Sequence, residues 1–162
     1  MRTVLFVVAL AGCGATIRSS LAPTANLGEY RTYSFTTRPV TPTDQTIHSA
    51  LRRDLAAKGL FEAPPGQPPD FFVDYHVTQV EKWVAHPVGY GYYGYAGTQV
   101  NQYIQGTLTI SFVDPHTRNV FWRGTATDVV RHPESPDLRK VDKSVGRVIQ
   151  RYPVAAARRT KM

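Results

Sequence analysis

Asp74 and His76 stand two residues apart in the stretch "PDFFVDYHV", residues 69 to 77. A carboxylate beside an imidazole can orient a general base or begin a metal site. On a strand the two share one face with about 6 to 7 Å between their Cα atoms, and Asp70 is expected to share that face. Catalysis also needs a nucleophile or a full ligand set in a concave site, and the chain carries no His-Glu-x-x-His, no Gly-x-Ser-x-Gly and no glycine-rich phosphate loop. His48, His86, His116 and His132 are scattered without ligand spacing. The residues give no expectation of a catalytic set, a cofactor or a metal. A binding or structural protein is the first reading, and a periplasmic hydrolase or metal-binding protein using Asp74 and His76 is the alternative.

Two further groups can make contacts. Tyr90, Tyr92, Tyr93 and Tyr95 lie among the glycines of "GYGYYGYAG", residues 89 to 97, and form the candidate binding loop. Tyrosine offers an apolar face and a hydroxyl, suited to sugars, proteins or lipid headgroups. Cations gather late, at Arg139, Lys140, Lys143, Arg147 and Arg151, then at Arg158, Arg159 and Lys161. With 19 Lys and Arg against 12 Asp and Glu, the formal net charge of +7 favours anionic partners. No nucleic-acid recognition motif accompanies that charge, so nucleic acid is not expected.

Compartment follows from the start of the chain. Met1 to Thr3 carry one positive charge, and Val4 to Ala11 form an apolar run of signal-peptide length, too short to span a bilayer. Leu10, Ala11, Gly12 and Cys13 follow, and Cys13 is the only cysteine among 162 residues. The segment resembles the lipobox of bacterial lipoproteins, in which the cysteine takes a diacylglycerol and becomes the mature N-terminus. That resemblance implies a signal peptide over residues 1–12 and lipidation of Cys13 by chains such as palmitate. The partners it implies are the membrane, reached through the N-terminal lipid, and an envelope protein or anionic envelope polymer. Gly14 in place of an aspartate implies the outer membrane, facing the periplasm.

Hydrophobic residues make up 42% and charged residues 19%, the composition of a folded body, and the length suits one domain. Residues 13–25 are small and polar without periodicity, which predicts a tether. Tyr33 and Phe35 alternate in a first strand. Thr41, Pro42 and Asp44 open a helix striped by Ile47, Ala50, Leu51 and Leu55 and closed by Gly59, with Leu60 and Phe61 tucked beneath it. Phe71, Val73, Tyr75 and Val77 mark the next strand. Its alternation slips near Gln79 and Val80, which predicts a bulge returning Trp83 or Val84 to the core.

Val100, Ile104, Leu108, Ile110 and Phe112 line a third strand, and "DPHTRN" turns into a fourth carrying Val120, Trp122 and Ala126. Ser135, Pro136 and Asp137 open a second helix that ends at Pro153. The expected fold is α+β, in the order β-α-β-β-β-α: a mostly antiparallel four-stranded sheet with two helices packed on one face.

"LGEYRTYSF", "LAAKGL", "PDFFVDYHV", "DPHTRNVFWRGTA" and "IQRYP" together are similar to the DUF4136 family of bacterial lipoproteins. The resemblance covers residues 26–153, with Trp122-Arg123-Gly124 its most specific part, and leaves 154–162 as a basic tail. It implies fold and address, and it brings no catalytic residues. Thr117 and Arg118 stand where the family often has Thr-Gly, so Asn119 is expected to take the left-handed turn position.

Overall fold

A computed structural model describes residues 15–23, 27–88 and 97–153. Its elements are β1 (Thr16–Leu21), β2 (Thr32–Phe35), α1 (Pro42–Ala56), β3 (Phe61–Glu62), β4 (Phe71–Val88), β5 (Gly97–Val113), β6 (Val120–Val130) and α2 (Leu138–Gln150). The strands form one sheet in the order β1-β6-β5-β4-β2-β3. β2 runs parallel to both β3 and β4, and the remaining pairs are antiparallel.

The expectation of four mostly antiparallel strands is thus corrected to six strands in a mixed sheet. The added edge strand β1 falls within residues 13–25, read from the sequence as a tether. Of its six residues only Ile17 is half-buried, so it is held by backbone pairing to β6 and lacks the alternation that burial imprints. β3 is two residues long. The parallel pairing of β2 with β4 follows from the intervening helix, which carries the chain back across the sheet so that β4 starts from the same end as β2.

Local chemistry sets both helices. The Thr41 hydroxyl accepts from the Asp44 backbone N–H at 3.1 Å, and the Asp44 carboxylate accepts from the Thr41 N–H at 2.9 Å, a reciprocal cap with Pro42 behind it. Gly59, at φ +76°, lets the chain leave α1, and Leu60 is buried just after it. Phe61, expected beside it, is 59% exposed. Asp137 caps α2 by accepting from the N–H groups of Arg139 and Lys140.

Both helices cover the same sheet face. Ile47, Leu51 and Leu55 of α1 and Val145, Val148 and Ile149 of α2 close over Phe71, Val73, Ile110, Phe112 and Trp122. Phe121 is buried as well as Trp122 because β6 has one residue more than β5 at this point: Phe112 pairs with Trp122, and Val113 with Val120. Such a bulge turns two consecutive side chains to one side.

β4 itself carries no bulge. Its register with β5 runs without a break from Phe72↔Val113 to Val88↔Gly97, and Trp83 is 64% exposed. Val100, expected in the core, is 54% exposed. The alternation slips there because the helices end and leave no core for the strands to face.

The turn Asp114 to Asn119 is tied by the Asp114 carboxylate, which accepts from the N–H groups of His116 and Thr117. Its left-handed residue is Arg118, at φ 57°, and not Asn119. A side chain pays about 1–2 kcal/mol for that conformation. Arg118→Gly should therefore raise stability by about 1 kcal/mol, read as a higher urea midpoint at unchanged slope. An unchanged or lower midpoint would show that the Arg118 side chain contributes more than its backbone costs.

Candidate functional site

The structure places Asp74 and His76 on one face of β4, the face turned away from the helices. Across β5 they oppose Ser111 and Thr109. The Asp74 carboxylate accepts from the Thr36 hydroxyl at 2.7 Å, and His76 is exposed. The surrounding face is rich in hydroxyls. Thr107 and Thr127 approach to 3.2 Å, and Arg123 Nε donates to Ser111 at 3.3 Å.

Among the described residues no group of three or more His, Cys, Asp or Glu side chains is placed to hold a metal. Asp70 joins neither Asp74 nor His76. Its carboxylate accepts from the backbone N–H groups of Arg31 and Thr32 at 2.8 and 2.7 Å, which fixes the start of β4 against β2. Burial pushes the Asp70 carboxyl up, but these hydrogen bonds outweigh it and hold it below the usual carboxylate range. Cys13 and the loop tyrosines Tyr90, Tyr92, Tyr93 and Tyr95 lie outside the described residues.

A concavity lies on the helix side. A cleft of about 340 Å³ opens where the N-terminal ends of α1 and α2 meet the sheet. Ile47, Val77, Leu108 and Val141 give it an apolar lining, and Arg131 and Lys140 stand among its polar residues. Sequence reading missed the cleft, since it is assembled from both helices and three strands.

His48 is the other residue whose placement was missed. It is 2% exposed, tilted against Phe35 at 4.0 Å between ring centroids and edge-on to Tyr75 at 5.4 Å. The spacing 48–51–55 would have put it on the apolar stripe of α1. Neither ring nitrogen has a hydrogen-bond partner of full geometry. Burial, helped by the Arg52 charge, holds its pKa below 6.5, against smaller opposing effects of Asp44, Glu62 and the Thr37 backbone.

The unfolded chain takes up this proton near pH 6.5, while the folded ring resists until lower pH. The His48 contribution is thus complete above that value and is lost as pH falls below it. The melting temperature should drop between about pH 7 and pH 5, and His48→Phe should flatten the drop. The carboxylates of Asp44, Asp70 and Asp114 are held below 3.8 and act in a lower window. A wild-type profile already flat over that range would contradict the buried neutral imidazole.

These features define an α+β domain of two helices on a mixed six-stranded sheet, with a polar face opposite the helices. The family model described as "Domain of unknown function (DUF4136)" matches residues 17–154, and the chain belongs to that family.

A solved DUF4136 family protein from Bacteroides thetaiotaomicron is similar at 12% identity and TM-score 0.53, over 85% of this chain and 95% of that one. A PDZ domain protein from Parabacteroides distasonis is similar at 13% identity and TM-score 0.58, over 88% of this chain. The chain spans about a third of that protein's length, 36%. The PelC dodecamer from Paraburkholderia phytofirmans is similar at 17% identity and TM-score 0.48, over 83% of this chain and 94% of that one. These likenesses concern the fold alone. No curated protein matches the chain.

Proposed function

We propose that the protein is a lipid-anchored component of the bacterial cell envelope, held through Cys13 at the periplasmic side of the outer membrane, and that it binds an envelope partner rather than catalysing a reaction. The observation that carries this reading is Leu10-Ala11-Gly12-Cys13 placed directly after the apolar run Val4 to Ala11, with Cys13 the only cysteine of the chain. β1 begins at Thr16, three residues after Cys13. The same spacing keeps the domain close to its lipid, because three residues reach at most about 10 Å.

An acylated cysteine holds a protein stably when it carries more than one chain, each buried carbon contributing about 0.8 kcal/mol. Cys13→Ser removes the only thiol. It should move the protein from the membrane fraction to the soluble periplasm. Retention of Cys13→Ser in the membrane fraction would contradict the lipid anchor.

A further inference from the structure

The last seven pairs of β4 and β5, Lys82↔Tyr103 to Val88↔Gly97, extend past Val130, where β6 ends. Among the described residues they form a two-stranded ribbon with no third strand. Such ribbons are marginal in water by themselves. The ribbon and its base also carry Val80, Trp83, Val100 and Val129, all between 47% and 64% exposed. Glu81 and Lys82 are the sole Asp, Glu, Lys or Arg residues in 80–88 and 97–104.

The direction of the ribbon is fixed by register. Thr16 pairs with Thr127 and Leu21 with Trp122, so the end of β1 that leads to Cys13 points the same way as the ribbon. Three residues bring Cys13 no further than the level of Val130, and the ribbon continues about 23 Å beyond it at 3.3 Å per residue. A membrane holding Cys13 therefore meets the ribbon.

Among the described residues no strand lies beside the outer edge of β4 from Asp74 onward, and hydrocarbon does not admit unpaired backbone groups, so a single ribbon is not suited to cross that membrane. An orientation along the headgroup region satisfies both constraints, and it suits an exposed tryptophan. Trp83, Ala85 and Val100 share the face on which the helices lie. The net charge of +7 complements anionic headgroups.

We infer that the β4–β5 ribbon lies in the interface of an anionic phospholipid bilayer, with Trp83 and Val100 set among the headgroups. This rests on Cys13 being the anchor. The test supplies that anchor chemically, so the two readings fail separately. Full-length chain from cell-free synthesis is coupled through its single cysteine to a maleimide phospholipid in phosphatidylethanolamine–phosphatidylglycerol vesicles.

With two tryptophans in the chain and Trp122 only 1% exposed, the solvent-dependent emission reports Trp83. Its emission should move to shorter wavelength, lose quenching by iodide and gain quenching by a shallow nitroxide lipid. Trp83→Phe should abolish all three changes. A chain that floats with the vesicles while Trp83 stays as open to iodide as in the uncoupled protein overturns the inference. Shielding that develops without vesicles as protein concentration rises also overturns it, in favour of a second copy of the chain.

Discussion

Trp122→Ala should lower the unfolding free energy by about 3–5 kcal/mol, the cost of deleting a large aromatic side chain from a core. Trp122 is 1% exposed, and its ring packs on Phe112 at 4.5 Å and edge-on to Tyr152 at 5.3 Å. Those contacts join the sheet to the end of α2, so the cavity would sit where two layers meet and little can collapse into it. Trp83→Ala, in a side chain 64% exposed, should stay within about 0.5 kcal/mol. Thr107→Ala gives up a hydroxyl contact of 3.2 Å on the polar face and should cost about 1 kcal/mol or less. Urea unfolding of the three variants tests the register directly, and equal losses for Trp122→Ala and Thr107→Ala would mean that the faces of the sheet are misassigned.

Gly124→Ala should cost about 1–3 kcal/mol, although it adds a single methyl group. A Cβ at Gly124 would run into Val148 Cγ1 of α2 and lie 2.7 Å from Cη2 of the Trp122 ring. Both neighbours are buried, so relief requires α2 to lift or the indole to leave its place. Gly106→Ala makes a useful contrast. Its Cβ would meet Val130 Cγ2 at 2.6 Å, but Val130 is half-buried at the end of β6 and can turn aside. In a Trp122→Ala background the Gly124→Ala penalty should shrink, because the cavity gives the methyl room. Additive losses in that double-mutant cycle would contradict the contact. The Trp-Arg-Gly sequence thus has a packing reason: a large ring, an outward cation and a glycine on which α2 rests.

The sequence revealed the parts of this fold that carry local chemistry. Thr41, Pro42, Asp44 and Gly59 bound α1, Asp137 opens α2, and the alternation of Leu108, Ile110 and Phe112 placed β5 with its buried face correct. What stayed hidden depends on distant partners. β1 buries almost nothing and exists because β6 offers it a backbone edge. The parallel direction of β2 has no signature in four residues.

Trp83 or Val84, and Val100, read as core because they are apolar at strand positions, whereas burial depends on how far the helices reach: Trp83 and Val100 are exposed and Val84 is half-buried. Phe121 is buried through a bulge that depends on one extra residue in β6 relative to β5. Asp74 and His76 do share a face, as their spacing requires, but the cleft on the opposite side left no mark in any single segment.

The proposed anchor is the claim from which address and orientation follow, and it concerns one sulfur atom. Intact mass and N-terminal fragment analysis of the protein purified from the envelope test it most directly. The account predicts a chain that begins at Cys13 and carries the mass of an acylated glyceryl cysteine. A chain that retains Met1 to Gly12, or one that begins elsewhere with Cys13 as a free thiol, would contradict it.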